Sequence, residues 1–404
     1  SLKRDMKILI VHNYYAETGG EDVVVQAEKQ LLMEQGHEVL EFSRTNEKAQ
    51  GLSLLFTAFR MIWSFDSARS LRKSIREFKP DVVHIHNTFM LISPSVYHTC
   101  QKLQVPVVQT WHNYRLLCPV AIFFRNGQVC EECLGHSVPW PAVLHGCWRG
   151  SRFGTLAVVL MLTIHRILKT WQKQIDVHIA LSEFSAKKLS LAGFKAETII
   201  VKPNYIDDVI HIAIEKSTAF AKDYALYIGR LSPEKGLDTL LDAWHDSPHI
   251  PLNLIGDGPL FEQVQRKIND NCLDTVNVLG KKNRGETFSY LRSARYLIVP
   301  TLCYENFPLV IVEAFAMGIP VIASRLGAIA EIVKDGITGL LFNPGDPLDL
   351  AAKASWAWLH CQEMEEMGSN ARKAYTERYA KEVNYQILVG AYSIAAKNQK
   401  ASQH

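Results

Sequence analysis

The sequence has little net charge and no long apolar run. Its 44 Lys and Arg residues nearly balance 41 Asp and Glu residues, so no strong overall field marks a nucleic-acid-binding protein. The most apolar segment, residues 153–168, contains His165 and Arg166 and is shorter than the roughly 20 residues that a membrane-spanning helix needs. No export signal, with a basic segment, an apolar segment and a small-residue cleavage site, opens the sequence. We therefore expect a cytoplasmic protein without nucleic-acid partners.

Short segments rich in β-branched residues alternate with helix-length segments, as in KILIVHN, DVVHIHN, YALYIGR and YLIVPT. This alternation is typical of parallel sheets covered by helices on both faces, so we predict the α/β class. The pattern is interrupted near Val201–Asp208, and 404 residues favour more than one domain. We predict doubly wound, Rossmann-like domains at 6–203 and 204–375. A Cys-rich insertion at about 118–150 belongs to the first, and a C-terminal helix at 376–404 is expected to pack back on it.

Polar residues follow predicted strands in both halves, where doubly wound sheets bind ligands. In GRLSPEKG, Arg230 directly follows a strand and Lys235 comes five residues later. Two cations at this position suit a diphosphate. In the first half, Gly19 and Gly20 precede an amphipathic helix, and their amides together with the helix N-terminus suit a phosphate. Such a glycine pair is equally often only a tight turn.

Two glutamates, Glu305 and Glu313, flank a mostly apolar run in CYENFPLVIVEAFAMG. Since proline is tolerated in a first helical turn and glycine ends helices, we predict a helix from about Pro308 to Met317, stopped by Gly318. Glu313 then lies roughly 7–8 Å along this helix, at 1.5 Å per residue. A buried carboxylate without partners costs several kcal/mol. The hydroxyls of a nucleotide-diphospho-sugar would satisfy both glutamates, although a structural salt bridge at Glu313 is the alternative.

The chain resembles the family-4 retaining glycosyltransferases of GT-B fold (glycosyl transferases group 1). The resemblance rests on Glu-x7-Glu before AMGIPVIAS, on GRLSPEKG, GDGPL and TGLLF, and in the first half on DVVHIHNTF and VVQTWHNYR. It implies two domains facing across a cleft, the second holding a UDP- or GDP-sugar and the first a saccharide or lipid-linked acceptor. The implied role is synthesis of a surface polysaccharide or glycolipid. The implied catalytic residues are His112, Glu305, Arg230 and Lys235. The donor-binding residues predicted from the motifs and the resemblance are Gly19, Gly20, Arg230, Lys235, Asn306, Phe307, Pro308, Leu309 and Glu313.

Within that resemblance, Arg230 and Lys235 would contact the diphosphate, Glu305 the sugar hydroxyls, Glu313 the ribose, and His112 would lie near the transferred sugar. A structural role for His112, as a strand-end histidine bonded to the backbone, is the alternative. The chain contains no Asp-x-Asp motif to hold a divalent ion on a sugar nucleotide. We therefore expect no catalytic cofactor, with protein cations and helix N-termini neutralising the leaving group.

Other functions are compatible with the same motifs. A GT-B-fold nucleotide-sugar epimerase would share the cleft without an acceptor site, and a phosphorylase would need a pyridoxal-phosphate lysine that no motif marks. A non-enzymatic, two-lobed sugar-binding protein is the third alternative. The converging cations and glutamates favour the transferase.

The cysteines are concentrated in one segment. Cys118, Cys130, Cys133 and Cys147 fall within thirty residues and include one Cys-x2-Cys, a pattern compatible with a structural zinc site that stabilises the insertion. Free or oxidised thiols are the alternative.

The segment Leu52–Pro80 is apolar at first and basic later. Such a segment can contact anionic lipid, which would place the protein at the inner face of the plasma membrane. Ordinary covering helices with a solvated face are the alternative.

Overall fold

A computed structural model describes residues 5–15, 19–49, 54–207 and 223–401 of the chain. The chain forms two compact units. The first contains residues up to Phe123, Glu131–Asn204 and the chain from Glu382 onward, and the second contains Phe124–Cys130 and Tyr205–Lys381. Each unit has its own six-stranded sheet, which confirms the predicted α/β class with two Rossmann-like domains.

The strands up to residue 201 are β1 (Lys7–Tyr14), β2 (Glu38–Thr45), β3 (Val82–Ile85), β4 (Val107–Trp111), β5 (Phe124–Arg125), β6 (Gln128–Val129), β7 (Val177–Ala180) and β8 (Ile199–Val201). The first sheet is parallel, in the order β2-β1-β3-β4-β7-β8, whereas β5 and β6 form a separate antiparallel ribbon. The apolar run of β1 is buried on both faces from Ile8 to Asn13, as a central parallel strand requires. The helices of this region are α1 (Gly20–Glu34), α2 (Leu54–Ile62), α3 (Phe65–Phe78), α4 (Ser95–Lys102), α5 (Pro141–His145), α6 (Arg152–Ile167), α7 (Thr170–Lys173) and α8 (Glu183–Leu191).

The second sheet is also parallel. Its strands are β9 (Ala225–Ile228), β10 (Leu252–Ile255), β11 (Val276–Gly280), β12 (Tyr296–Val299), β13 (Val321–Ser324) and β14 (Gly339–Phe342), in the order β11-β10-β9-β12-β13-β14. The remaining helices are α9 (Leu237–His245), α10 (Phe261–Asp270), α11 (Arg284–Ser293), α12 (Leu309–Ala316), α13 (Gly327–Ile332), α14 (Pro347–Leu359), α15 (Cys361–Arg378) and α16 (Lys381–Ala401). The helix predicted at Pro308–Met317 is confirmed as α12, with Pro308 at its N-cap.

The C-terminal helix belongs to the core of the first unit. Leu388, Val389 and Tyr392 of α16 are buried in one cluster with Ile8 and Ile10 of β1. The end of the chain therefore stabilises the sheet with which the chain begins.

Both sheets reverse their strand order beside their first strand. The reversal lies between β1 and β3 in the first sheet and between β9 and β12 in the second. Loops leaving adjacent strands diverge at such a point and open a crevice at the carboxyl ends of the strands, where doubly wound sheets bind ligands. Gly19 follows β1 at the first reversal, Lys235 and Glu305 follow β9 and β12 at the second, and His112 follows β4, the strand next to β3.

Gly256, just after β10, lies against the backbone of the loop after β9. A Cβ atom at this position would lie 1.8 Å from the carbonyl oxygen of Gly229. We expect Gly256→Ala to lower the free energy of unfolding by about 2 kcal/mol or more, because the backbone must move to remove the overlap. Urea denaturation measures this change.

Gly285 in α11 provides the matched control, since the nearest atom to its added Cβ would be 3.5 Å away. Gly285→Ala should be neutral or stabilising by roughly 0.5–1 kcal/mol, as expected in a helix. Equal stability of the two variants would contradict the close approach.

Candidate functional site

The second unit brings Lys235 and Glu305 together at the strand reversal. Lys235 follows β9 and Glu305 follows β12, and Lys235 Nζ lies 2.5 Å from Glu305 Oε1. Thr301 Oγ1 donates to the same carboxylate oxygen at 3.1 Å. Burial alone would lower the pKa of Lys235, but the charge and hydrogen bonding of Glu305 raise it above the ordinary value. The lysine is therefore a fixed cation, and 28% of its side chain remains exposed.

Arg230 lies at the same edge of the sheet, directly beyond β9. Its side chain is exposed, and its carbonyl oxygen accepts a hydrogen bond from the Tyr227 hydroxyl at 2.8 Å. The backbone of the loop is therefore held while the guanidinium is accessible to solvent.

Glu313 lies on the less buried side of α12. Its neighbours Ile311, Val312 and Ala314 are buried, whereas Glu313 is half-buried. Burial raises the pKa of the Glu313 carboxyl, although the charge of Arg284 acts in the opposite direction. The carboxyl is thus only partly compensated within the protein.

The residues predicted between the two glutamates lie at the start of α12. Asn306 and Pro308 are buried, and Leu309 is the first residue of the helix. The Phe307 ring packs edge-on against Tyr379, with ring centroids 5.9 Å apart. Their contacts with a donor stay a prediction.

His112 in the first unit is half-buried and contacts a network of polar side chains whose other members are buried. His112 follows β4, and its Nε2 lies 2.9 Å from Nδ1 of His86, which follows β3. His86 Nε2 lies 3.6 Å from Oε2 of Glu28, and the other oxygen of Glu28 accepts from Lys202 at 2.5 Å. Burial lowers the pKa of both His86 and His112 well below the ordinary value, so both rings are neutral.

His86 Nε2 faces Glu28 Oε2 at 3.6 Å, beyond hydrogen-bond distance, and neither atom has a hydrogen-bond partner among the described residues. An N–H group faces a carboxylate more favourably than a lone pair does, so we assign the His86 proton to Nε2. His86 Nδ1 then accepts from His112 Nε2–H, and His112 Nδ1 remains an acceptor. With this assignment, His112 acts as a hydrogen-bond acceptor instead of an acid.

The sequence analysis did not predict that Glu28, His86 and Lys202 form a polar network with His112. Glu28 occupies the apolar stripe of α1 together with Val24, Val25 and Leu31, all of them buried. A charged residue in such a stripe needs a buried partner. That signal was present in the sequence, although it does not name the partner.

The Gly19 amide is already bonded in the structure. It donates to Asp22 Oδ2 at 2.9 Å, and Asp22 Oδ1 lies 2.8 Å from His12 Nε2. Glu21 and Asp22 both lie in the first turn of α1, where carboxylates compete with a phosphate for the helix N-terminus. Phosphate binding by Gly19 and Gly20 stays a prediction. A bound phosphate would have to replace Asp22 as the acceptor of the Gly19 amide.

Glu21 is buried beside Asp22, and its Oε2 accepts from the Tyr15 hydroxyl at 3.2 Å. Burial and the charge of Asp22 raise the pKa of Glu21 from its ordinary value of 4.5 to about 8. Between these values the folded protein keeps a proton that the unfolded chain has lost. The free energy of unfolding should therefore fall as pH rises from 4.5 to about 8, by at most about 1.4 kcal/mol per pH unit.

Urea denaturation at several pH values within that range tests this effect, with Glu21→Gln as the matched variant. The amide of the variant cannot titrate, so the fall in stability should be weaker there. The same slope in both proteins would show that Glu21 is not the group responsible.

The four cysteines of the insertion do not form a metal-ligand cluster in the structure. They all lie within the described residues, where the one group of three or more ligand atoms within 4.8 Å is Glu28, His84 and His86. Cys133 and Cys147 pack with Ala142 and Val159, and burial raises the pKa of Cys118, which disfavours the thiolate that zinc requires. Structural zinc stays a prediction, which elemental analysis of protein purified without added metal tests.

The group of Glu28, His84 and His86 is partly satisfied by protein contacts. His84 uses both ring nitrogens, bonding Tyr392 at 2.9 Å and Thr110 at 2.8 Å, and Glu28 Oε1 is paired with Lys202. Glu28 Oε2 and His86 Nε2 are buried without a hydrogen-bond partner among the described residues.

No helix among the described residues combines the length and apolar character needed to cross a membrane. Residues 52 and 53 of the predicted lipid-contacting segment Leu52–Pro80 lie outside the described residues. Contact of the remaining segment with a membrane stays a prediction.

Sequence profiles of two known groups match the chain. The profile described as Glycosyltransferase Family 4 matches residues 18–209, and that described as Glycosyl transferases group 1 matches residues 212–374. Together they cover both sheets except strand β1, which ends at Tyr14.

Individual proteins show the same relationship. An uncharacterized glycosyltransferase of Methanocaldococcus jannaschii is 36% identical over 148 residues, covering 36% of this chain and 42% of that protein. The sulfoquinovosyl transferase SQD2 of Arabidopsis thaliana is 25% identical over 76% of this chain and 55% of that protein. The matched regions therefore span about half the length of these relatives.

HepE of Anabaena, solved in complex with UDP, resembles the chain with a TM-score of 0.66 at 21% identity, over 96% of this chain and 100% of HepE. HepE was also solved with UDP-glucose. At this identity the likeness shows the fold alone.

Proposed function

Because the chain belongs to the family-4 glycosyltransferases of GT-B fold, we propose that it transfers a hexosyl group from a UDP- or GDP-sugar. The acceptor is a saccharide or a lipid-linked sugar, and the product retains the anomeric configuration of the donor. The observation that carries this proposal is the Lys235–Glu305 pair at the strand reversal of the second sheet. It places a cation and a carboxylate side by side in the crevice where a nucleotide binds in this class of sheet.

Different residues of the second unit bind different parts of the donor. Lys235 and the exposed Arg230 neutralise the diphosphate, while Glu305 accepts hydrogen bonds from the hexose hydroxyls. Glu313 accepts from the ribose hydroxyls, since its raised pKa marks a carboxyl with few compensating partners. UDP-glucose bound to HepE supports a donor of this class.

His112 of the first unit contributes a hydrogen-bond acceptor near the transferred hexose. Its Nε2 is engaged by His86, so Nδ1 is available to a sugar hydroxyl. His112 therefore orients the sugar and does not protonate the leaving group.

Catalysis proceeds without a metal ion, because the protein cations supply the positive charge that the departing nucleotide needs. The absence of an Asp-x-Asp motif supports this proposal. The reaction belongs to surface polysaccharide or glycolipid synthesis, at the cytoplasmic face of the plasma membrane.

Incubation with radiolabelled UDP- and GDP-sugars tests the activity, with Lys235→Ala as the inactive reference. Slow release of free sugar from one donor supports a transferase, and NMR of the product anomer tests retention. An epimerised donor would instead support the epimerase, and binding without turnover would support the sugar-binding protein. A thermal-shift screen identifies the nucleotide, because a ligand at about 100 times its Kd adds about 2.7 kcal/mol of stability.

A further inference from the structure

A polar cavity lies at the carboxyl ends of β1 and β2 in the first unit. Its volume is about 560 Å³, within the range of small-molecule sites. It is lined by Tyr14, Ser43, Arg44, Thr45, Arg60, Asp66 and Leu91. We call it the arginine pocket, since two of these residues are arginines. Asp66 is the acidic residue among them.

The arginines of this pocket are only weakly neutralised. Asp66 Oδ2 lies 3.5 Å from Arg60 and 3.6 Å from Arg44, and the Asp66 side chain is 65% exposed. Such an exposed pair contributes only about 0–1 kcal/mol. Arg60 Nε is buried without a hydrogen-bond partner. A phosphate offers several acceptor oxygens to two guanidinium groups, so it can displace Asp66.

The helix that carries Arg60 also exposes large apolar side chains. Leu55, Phe56 and Phe59 of α2 are exposed, and Arg60 Cζ lies 5.8 Å from the centroid of the Phe56 ring. Helix α6, which contacts α2, exposes a stripe at helical spacing. The stripe consists of Phe153, Leu156, Leu160 and Ile167. We call these residues of both helices the α2–α6 surface.

Large contiguous apolar areas on a protein surface mark sites that bind other molecules. The adjacent cations make the surface amphiphilic, with an apolar area beside a pocket that takes an anion. A free sugar or a soluble phosphate would leave the apolar residues unused. A lipid that carries a phosphate uses both features.

We infer that the arginine pocket binds the phosphate of a lipid-linked acceptor whose hydrocarbon chain lies along the α2–α6 surface. This inference rests on the proposed function and names its acceptor class. The pocket opens at the carboxyl ends of β1 and β2, the same edge of the sheet at which His112 follows β4. A lipid phosphate there would leave the attached sugar near that edge, and the phosphate itself undergoes no reaction.

Vesicle flotation tests the inference with defined probes. Phosphatidylcholine vesicles carry hexadecyl phosphate, hexadecanol or hexadecanoate, and inorganic phosphate is added as a soluble competitor. We expect binding to hexadecyl phosphate to be roughly tenfold tighter than to hexadecanoate at equal surface charge, a difference of about 1.4 kcal/mol. Hexadecanol should bind more weakly still. Equal binding to all three lipids, or to the two anionic lipids, would overturn the inference.

Two double variants distinguish phosphate binding in the arginine pocket from general electrostatic attraction to an anionic membrane. Arg44→Gln/Arg60→Gln should lose the preference for hexadecyl phosphate, while Arg69→Gln/Arg72→Gln on exposed positions of α3 removes the same charge and should keep it. Equal losses would show general attraction to an anionic membrane and overturn the pocket.

Phe56→Ser/Phe59→Ser should weaken binding to every vesicle, whereas Leu348→Ser/Leu359→Ser, which replaces exposed leucines of α14, should not. If the Phe56/Phe59 variant bound as tightly as the unmodified protein, the apolar part of the inference would be wrong. Unchanged thermal unfolding establishes that each variant is folded.

Donor hydrolysis in solution distinguishes this inference from the proposed function. The Arg44/Arg60 variant should still hydrolyse the nucleotide-sugar, because neither residue is among those proposed to bind the donor. Hydrolysis without phosphate-selective vesicle binding would reject the lipid acceptor alone. Selective binding without hydrolysis of any donor would reject the transferase and keep the lipid-phosphate site.

Discussion

Replacement of Lys235 by alanine should lower kcat by roughly 10²- to 10³-fold, because one positioned donor to a developing negative charge contributes about 3–4 kcal/mol in the transition state. The lysine is held for this role by Glu305, 2.5 Å away. Steady-state transfer, or donor hydrolysis where no acceptor is known, measures the effect. Unfolding of the variant should change little, since the pair is partly exposed.

Lys267→Ala is the matched control. Lys267 lies on α10 of the same unit, is 24% exposed and pairs with Asp242 at 2.7 Å, so it is a paired lysine of similar exposure outside the loops that follow β9 and β12. Its kcat should be unchanged. A loss of less than about tenfold in Lys235→Ala, or an equal loss in both variants, would remove Lys235 from the mechanism.

Replacement of Lys202 by methionine should lower the free energy of unfolding by about 3–5 kcal/mol, the usual effect of leaving one member of a buried ion pair alone. Lys202 and Glu28 are both fully buried, and Lys202 also donates to Asn384 Oδ1 at 3.1 Å. The variant leaves the carboxylate of Glu28 in the core without its counter-charge. Urea denaturation measures the loss.

Two control variants test whether burial of the unpaired charge causes the loss of stability. Lys29→Met breaks a pair of similar length, 2.6 Å to Glu41, in which the lysine is 30% exposed, and should cost only about 0–1 kcal/mol. Glu28→Leu/Lys202→Met should recover much of the stability, because no charge stays buried. If Lys29→Met and Lys202→Met were equally destabilising, burial would not be the cause.

The sheets could be predicted from the sequence because their signals are local. Buried parallel strands need short apolar runs on both faces, and KILIVH and YLIV carry them within single strands. The limits of α12 followed in the same way, from Pro308 at its start and Gly318 after its end. Such elements depend on neighbouring residues alone.

The polar chain behind His112 could not be predicted from the sequence, because its members are distant along the chain. Lys202 is 174 residues from Glu28, and only the folded sheet brings them together. The four cysteines of the insertion show the opposite case. They are close in sequence, but their sulfur atoms do not form a metal-ligand cluster among the described residues. Spacing limits which contacts can form, but backbone direction decides which of them do.

The predicted donor-binding residues of the two units differ in the same respect. The position of Lys235 after β9 could be predicted from the sequence. Its contact with Glu305 could not, because it depends on β12 lying beside β9 in the sheet. At α1, sequence reasoning proposed the Gly19 amide for a phosphate and did not foresee that Asp22 already accepts from it. Local side chains therefore competed with the ligand that the motif suggested.

A crystal structure with a non-hydrolysable UDP- or GDP-sugar tests the central claim most directly. The account predicts the diphosphate within hydrogen-bond distance, about 2.7–3.2 Å, of Lys235 Nζ, the hexose against Glu305 and the ribose against Glu313. A nucleotide bound away from the β9–β12 reversal, with Lys235 and Glu305 still paired only to each other, would contradict it.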